Sequence, residues 1–281
     1  MRETSATSRE DWVEREFVFT SQTGEEISGL GLFPHEKAAP SPALLYCHAH
    51  GYKYELGCGE IRTGTPSLVA PIWRDIADFC RDKAGFCPAI LSIDMAAFGS
   101  RQQPNEDARA KAHAWRGTTL FGEMLSDLIA AVTFLAERPD IDADRMGAFG
   151  FSMGSAHAFW LAALDERIKA AAALCSFADL DTLIQTNAHD GHGHYMTVPG
   201  LTPEFTTGEV AGLAAPRALF IGAGMQDWST PKAAFDKARN DLEAAYVDCP
   251  DQLTFHVEPD TGHEETPAMR QAALQFLEQN L

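Results

Sequence analysis

Ser152 is the residue around which chemistry can be built in this sequence. It stands between Gly150 and Gly154, after a short apolar run and before the small-residue run Ser155–Ala163. This pattern predicts a sharp turn from a strand into a helix, with glycines where the two elements must approach closely. A hydroxyl at the apex of that turn faces the helix N-terminus, where developing negative charge is favoured. The sequence therefore predicts that Ser152 is a nucleophile.

A base and a carboxylate must accompany that serine, because a hydroxyl is a poor nucleophile until its proton is removed. His263, in a loop after the last predicted strand, is the expected base, and His256 within that strand is a weaker candidate. Asp227, after the penultimate strand, is the expected carboxylate, with Asp179 as the alternative. The order serine, aspartate, histidine is that of α/β-hydrolases. These positions predict a Ser-His-Asp triad.

Backbone amides must also be in place to bind the oxyanion that forms during acyl transfer. Met153, directly after the nucleophile, is one expected donor. The second donor should lie in the loop after the third predicted strand, where we favour His50 and keep Ala49 and Gly51 as alternatives. His48, in the same loop, is expected to brace it through hydrogen bonds.

The elements that position these residues alternate along the chain. A hairpin, Arg15–Ser21 with Glu26–Phe33, is followed by apolar runs that predict strands and striped segments that predict helices. This alternation predicts an α/β fold with a mostly parallel sheet of about eight strands and helices on both faces. Residues 1–281 are expected to form a single domain. Thr230-Pro231 and Thr266-Pro267 predict the starts of the last two helices.

Residues 176–216 are too long for a plain crossover and are expected to form a lid or pocket wall, with a surface excursion as the alternative. Within them, Tyr195 is a candidate substrate-binding residue, as is Trp228 beyond them. The histidines of this stretch suggest a metal site, but the glycines between them leave their spacing unfixed and no further ligand set completes it. These histidines are His189, His192 and His194. We therefore expect no metal.

Composition limits the classes of partner. The formal net charge of −18 argues against nucleic acid and anionic membrane surfaces, which would repel the protein. No run approaches a membrane span, and the polar start of the chain lacks the apolar core of a signal peptide. The six cysteines show no Cys-x-x-Cys pattern, and Cys47 and Cys175 lie in predicted buried strands. We expect reduced thiols in a cytoplasmic protein.

The motifs together show a family resemblance. His48-Ala49-His50-Gly51 resembles the His-Gly-x-Gly oxyanion loop, and over nearly all of residues 40–281 the chain is similar to bacterial α/β-hydrolases of the dienelactone hydrolase and acetyl xylan esterase group. The other matching segments are Tyr54–Gly57, Asp94–Ser100, Gly150–Gly154, Ala215–Arg217, Asp227 and Gly262-His263.

The resemblance implies an α/β-hydrolase fold and hydrolysis of carboxylic esters without a metal or organic cofactor. Two departures matter. Ala49 replaces the usual glycine, which puts the identity of the second oxyanion donor in doubt, and Ser152 stands where dienelactone hydrolases proper carry cysteine. The second departure favours the esterase side of the group.

The leading hypothesis is thus a serine carboxylesterase acting on a small-molecule ester. The same triad could serve a C–C bond hydrolase, a thioesterase or a peptidase, and a catalytically inactive binding protein is the non-enzyme alternative. An ordered triad argues against the last of these, because binding alone would not require all three residues. The sequence leaves the oligomeric state open, a homo-oligomer included.

Overall fold

Nine strands form one sheet in the computed structural model, which describes residues 2–10, 12–35, 39–82, 86–202 and 204–281 of the chain. In chain order the strands are β1 (Arg2–Ser8), β2 (Trp12–Thr20), β3 (Glu26–Pro34), β4 (Ser41–Cys47), β5 (Ala89–Ile93), β6 (Ile141–Phe151), β7 (Ile168–Leu174), β8 (Ala218–Gly224) and β9 (Leu253–Glu258). The α-helices are α1 (Glu60–Thr63), α2 (Ile72–Asp82), α3 (Glu106–Arg116), α4 (Leu120–Ala136), α5 (Met153–Leu164), α6 (Leu180–Gln185), α7 (Thr207–Gly212), α8 (Lys232–Ala245) and α9 (Pro267–Asn280).

The strand order is β1-β2-β3-β5-β4-β6-β7-β8-β9. The first four strands along this order pair antiparallel, and every pairing from β5 to β9 is parallel. The predicted mostly parallel α/β sheet is therefore confirmed. The strand beyond the expected number is β1, whose seven side chains are all exposed, so its sequence carries no apolar alternation that could have predicted it.

The core lies on both faces of the sheet, because alternate side chains of a strand point to opposite sides. In β4, Leu45 joins an apolar cluster that contains residues of α4, α5 and α8, whereas Leu44 and Tyr46 join the cluster formed with α2 and α9. Each fully buried leucine of this kind stabilises the fold by roughly 1.5–3 kcal/mol relative to an exposed one.

Close packing fixes the turn between β6 and α5. Cys47 at the end of β4 pairs with Gly150 near the end of β6, so the loop after β4 and the nucleophile turn are neighbours. A Cβ atom on Gly154 would lie 1.9 Å from the carbonyl oxygen of Cys47. A Cβ atom on Gly150 would lie 2.2 Å from the carbonyl oxygen of Gly154. Only glycine fits at either place, which is why both glycines of the motif are needed.

The starts of the last two helices differ from each other. Thr266 caps α9, since its side-chain oxygen accepts a hydrogen bond from the amide of Met269, as predicted. The prediction for α8 was wrong by one residue: Pro231 occupies the cap position and no side chain caps the helix. Thr230 lies before that position, in the turn that follows Asp227.

Residues 176–202 and 204–216 lie between the carboxyl end of β7 and the start of β8. They contain α6, α7 and two single-turn 3-10 helices, Ala188–Gly191 and His194–Met196. Helix α3 contacts the second of these turns and was not predicted, because its sequence EDARAKAHAWR carries no continuous apolar stripe.

Two further expectations bear on the chain as a whole. Cys47 and Cys175 are free and buried, as expected, but Cys80 and Cys87 form a disulfide between the end of α2 and the start of β5, which corrects the prediction of six reduced thiols. Across the described ranges, no single helix has the length and apolar character to cross a bilayer; α3 and α4, bent by 98°, meet those criteria only as a pair.

Candidate active site

Three side chains from three loops meet at the carboxyl edge of the sheet. Ser152 follows β6, Asp227 lies after β8 and His263 after β9. His263 Nε2 lies 2.9 Å from Ser152 Oγ, and its Nδ1 lies 2.8 Å from Asp227 Oδ2. Because a carboxylate only accepts hydrogen bonds, Nδ1 carries the proton and Nε2 offers a lone pair to the serine hydroxyl. The structure brings together the three residues that the sequence singled out.

Ser229 completes the surroundings of the buried carboxylate. Its amide and its hydroxyl both donate to Asp227 Oδ1, each at 2.7 Å, and the hydroxyl also lies 3.0 Å from His263 Nδ1. Asp227 therefore has both oxygens occupied, one by Ser229 and one by His263. Ser229 was not predicted, although an aspartate followed two residues later by serine is a common turn pattern that could have suggested it.

Ser152 occupies the strained apex of its turn, with φ 57° and ψ −121°. A non-glycine residue at positive φ is uncommon and is over-represented at functional sites. The amide of Ser152 donates to the carbonyl of Leu174 at 2.8 Å, which holds the turn on β7. The side chain lies at the N-terminus of α5, where the helix dipole favours negative charge.

The loop after β4 is held by hydrogen bonds that decide which amide is free. Ala49 donates its amide to Glu60 Oε1 at 3.0 Å, so Ala49 is not available as an oxyanion donor. No hydrogen bond to a described residue occupies the amides of His50, Gly51 or Met153, so Gly51 stays an alternative to the favoured His50. His48 accepts from the amide of Met95 at 3.2 Å and donates to the carbonyl of Ala49 at 3.0 Å, which confirms its role as a brace. Burial lowers the pKa of His48 to about 4, so the ring is neutral at pH 7.

Glu60 anchors the loop after β4 through its bond to the amide of Ala49. Its Oε1 also accepts from the hydroxyl of Tyr46 at 2.7 Å, and the side chain is fully buried. Burial raises the pKa of Glu60 to about 7, despite the lowering effect of the two hydrogen bonds from Tyr46 and Ala49. This role could not be predicted, because a buried glutamate on a four-residue helix has no local sequence pattern.

Tyr195 and Trp228 flank the triad on the side of residues 176–216. The buried Tyr195 ring lies 5.7 Å from the ring of His50, and its hydroxyl donates to His192 Nδ1 at 2.9 Å. Trp228 is 57 % exposed, with its ring 5.8 Å from that of His263. Ser152 itself is only 9 % exposed.

His192 is occupied on both ring nitrogens. Its Nε2 donates to the carbonyl of Ser229 at 2.8 Å, and its Nδ1 accepts from Tyr195. His194 lies 3.3 Å from Asp107 instead. Among the residues that the structure describes, no group of three or more histidine, cysteine, aspartate or glutamate side chains is arranged to hold a metal ion.

The alternative candidates lie elsewhere and have other partners. Asp179 is the cap of α6, where Oδ1 accepts from the amide of Thr182 at 3.0 Å and from its hydroxyl at 2.7 Å. His256 bonds to Glu258 Oε1 at 2.9 Å rather than to the triad. Neither competes with Asp227 or His263 for a place beside Ser152.

Sheet order, nucleophile turn and residue order together define the chain as an α/β-hydrolase. Residues 84–264 match the dienelactone hydrolase family, so the chain belongs to that family. A protein of Bacillus subtilis (strain 168) named "Putative hydrolase YtaP" is 34% identical over 246 residues, which are 87% of this chain and 80% of that protein. The chain is accordingly an enzyme, a hydrolase of carboxylic esters.

Solved structures share the fold at lower identity. The acetyl xylan esterase from Paenibacillus sp. R4 superposes with a TM-score of 0.71 at 19% identity, over 100% of this chain and 88% of the other. The glucuronoyl esterase from Solibacter usitatus gives a TM-score of 0.70 at 13% identity, over 99% of this chain and 85% of the other. The suspected likeness to the dienelactone hydrolase and acetyl xylan esterase group is thus confirmed.

Proposed function

We propose that the chain hydrolyses carboxylic esters of small, soluble molecules through an acyl-enzyme formed on Ser152. The observation that carries this proposal is the hydrogen-bonded series from Asp227 through His263 to Ser152, with distances of 2.8 and 2.9 Å. The protonated Nδ1 leaves Nε2 free to act as general base toward the serine hydroxyl. Asp227, whose side chain is fully buried, holds that tautomer in place.

Acylation would proceed as follows. Ser152 Oγ attacks the ester carbonyl carbon while its proton moves to His263 Nε2. The carbonyl oxygen becomes an oxyanion and accepts hydrogen bonds from the amides of Met153 and His50. His263 then gives the proton to the leaving alcohol oxygen as the C–O bond breaks, and the acyl group stays on Ser152.

Deacylation would repeat these steps with water. His263 Nε2 removes a proton from a water molecule, whose oxygen attacks the acyl carbon, and the same two amides stabilise the second oxyanion. The proton then returns to Ser152 Oγ as the acid departs. The reaction consumes one ester and one water, releases one alcohol and one acid, and uses no cofactor.

Small substrates are favoured by the surroundings of Ser152. Tyr195 lies against His50, His192 connects this segment to the loop of Ser229, and Ser152 is only 9 % exposed, which supports a site for small molecules. The net charge of −18 supports the proposal that neither nucleic acid nor an anionic membrane is a partner. Tyr195 and Trp228 are proposed to line the substrate site.

The proposal is tested by trapping the acyl-enzyme. Rapid mixing with p-nitrophenyl acetate should give a burst of p-nitrophenol, and mass spectrometry should find one acetyl group on the peptide that carries Ser152. Ser152→Ala should fold, form no adduct and lose turnover by on the order of 10⁶ in kcat. Turnover by this variant within about tenfold of the wild type would exclude the serine mechanism.

A panel of substrates separates the related chemistries. An ester, a thioester, an amide and a diketone of matched acyl size should be compared by kcat/KM with the same protein. We expect the ester to be fastest. If the diketone, thioester or amide is cleaved fastest, the triad remains the catalytic group, but the reaction is not the ester hydrolysis that we propose. Failure of a fluorophosphonate to label Ser152 would favour an inactive binding protein.

A further inference from the structure

Glu106, the first residue of α3, is a buried carboxylate with three hydrogen-bond donors from two different loops. Its Oε2 accepts from His50 Nε2 and from the hydroxyl of Tyr54, each at 2.8 Å. Its Oε1 accepts from the amide of His194 at 2.6 Å. The helix N-terminus adds a favourable field for the negative charge. Burial acts to raise the pKa of Glu106, but the hydrogen bonds from His50, Tyr54 and His194 outweigh it and lower the pKa below its usual value.

On one side, Glu106 fixes the ring of His50. His50 Nδ1 accepts from the amide of Tyr52 at 3.1 Å, so Nε2 carries the proton and donates it to Glu106. Both ends of the ring are therefore tied, one to its own loop and one to α3. Since Ala49 is tied separately to Glu60, the backbone between these two anchors, which carries the free amide of His50, has little freedom to move.

On the other side, Glu106 holds residues 193–195 against the loop after β4. The bond from the amide of His194 brings Gly193 so close that an added Cβ atom would lie 2.5 Å from Glu106 Oε1 and 2.9 Å from His50 Nε2. The next residue, Tyr195, stands against the ring of His50. The loop after β4 and residues 193–195 thus share a single carboxylate.

We propose that Glu106 is a positioning residue: it aims the amide of His50 at the oxyanion by holding the loop after β4 and residues 193–195 against each other. This rests on the proposed serine esterase mechanism. The described hydrogen-bond partners of Glu106 are His50, Tyr54 and His194, and none of them belongs to the triad. Glu106 therefore acts through the loops that it joins. An oxyanion donor contributes mainly in the transition state, so a misplaced His50 amide should lower kcat and leave KM nearly unchanged.

Glu106→Gln is the informative substitution, because it keeps the shape and removes one acceptor. If the amide oxygen faces His50 and Tyr54, the amide NH₂ faces the amide of His194; if the side chain flips, the NH₂ faces His50 Nε2. Each orientation places a donor against a donor, and a buried donor without an acceptor is costly. We expect kcat to fall by roughly tenfold to a hundredfold, somewhat less than complete removal of an oxyanion donor.

Asp107→Asn is the matched control. Asp107 is the next residue on α3, its side chain is 85 % exposed, and its Oδ1 lies 3.3 Å from Nε2 of His194. The substitution removes the same unit of charge from the same helix turn. We expect kcat and KM within about twofold of the wild type, since an exposed ion pair contributes little.

Gly193→Ala gives an independent measurement if Glu106→Gln lowers the melting temperature too far. Its methyl group would push Glu106 and His50 apart without removing any polar group. We expect a loss of kcat in the same range of roughly tenfold to a hundredfold, with KM within about threefold.

The outcomes separate this inference from the proposed function. If the wild type is labelled by a fluorophosphonate and turns over esters, but Glu106→Gln or a folded Gly193→Ala keeps the kcat of Asp107→Asn, the positioning role is wrong and the esterase mechanism stands. A rise in KM with kcat unchanged would equally exclude the oxyanion role. If the wild type is neither labelled nor active, the proposed function fails, and this inference with it.

Discussion

Ser152 sits in a backbone conformation that few serines adopt, and the neighbouring residues hold it there. Glycines at 150 and 154 permit the close approach, and the carbonyl of Leu174 accepts the amide of Ser152. The strain is local to the residue whose hydroxyl must project toward His263. This arrangement is readable from the sequence, because the motif names both glycines and the serine at fixed spacing.

We predict that Asp227→Asn is far more damaging to turnover than Asp179→Asn. Loss of the carboxylate at 227 should lower kcat by roughly 10⁴, because His263 then favours the wrong tautomer. Asp179→Asn should lower the free energy of unfolding by at most about 1 kcal/mol, since asparagine caps a helix nearly as well as aspartate. Steady-state kinetics with thermal unfolding of both variants provide the measurement, and the opposite ranking in kcat would move the acid to Asp179.

Sequence reasoning found the residues that a motif names and missed those defined only by contact. Ser152, Asp227 and His263 stand at recognisable places after strands, and the structure brings them together. Glu106 lies 56 residues from its partner His50, on a helix that carries no stripe, so no spacing rule connects the two. The sequence also leaves the amide of Ala49 as a candidate oxyanion donor. The structure excludes it, because this amide donates to the buried Glu60.

At the scale of elements, apolar periodicity decided what could be predicted. Strands β4 to β8 have mostly buried side chains and short apolar runs, and these runs correctly predicted that the strands exist. The exposed β1 and the polar α3 show no such pattern, because many of their contacts with the rest of the protein are made by backbone or by polar and charged side chains. Polar contacts of this kind are specific in space but leave no periodic signal.

The segment 193–195 leads to a prediction about acyl length. Residues 193–195 are anchored to α3 through Glu106 and to the loop of Ser229 through His192, so long chains would have to displace two sets of hydrogen bonds. We expect kcat/KM to be highest for acetyl to butyryl p-nitrophenyl esters and to fall toward palmitoyl. A maximum at octanoyl or longer would contradict this prediction. In Gly193→Ala, whose added methyl group should displace the segment, we expect kcat/KM to vary less with acyl length.

At the scale of the whole molecule, buried ionisable groups couple stability to pH in opposite directions. Burial lowers the pKa of His48 to about 4 and of His157 to about 3. As the pH falls below about 6.5, these two histidines are protonated in the unfolded chain before they are protonated in the folded protein, so the free energy of unfolding decreases. Glu60 acts the other way: with its pKa raised to about 7, the folded state keeps a proton that the unfolded chain releases near pH 4.3. Its contribution is present at low pH and is lost as the pH rises toward 7.

We predict that Glu60→Gln removes this second component. The free energy of unfolding of the wild type, relative to the variant, should fall by roughly 3 kcal/mol between about pH 5 and pH 8. The difference between the two proteins is the measured quantity, because the histidine contributions cancel in it. Urea unfolding across that range provides it. A difference that stays constant with pH would mean that Glu60 is ionised in the folded protein throughout.

The carboxylate of Glu106, on α3, is shared by the loop after β4 and the segment 193–195, and this limits how the enzyme can be redesigned. An engineer who grafts a foreign covering segment between α6 and α7 would leave Glu106 without its third donor, and a glycine is needed where the graft passes beside it. The oxyanion loop would then loosen although none of its own residues had changed. Covering segment, α3 and the loop after β4 therefore form one exchangeable module, and libraries for new substrates should recombine the three together.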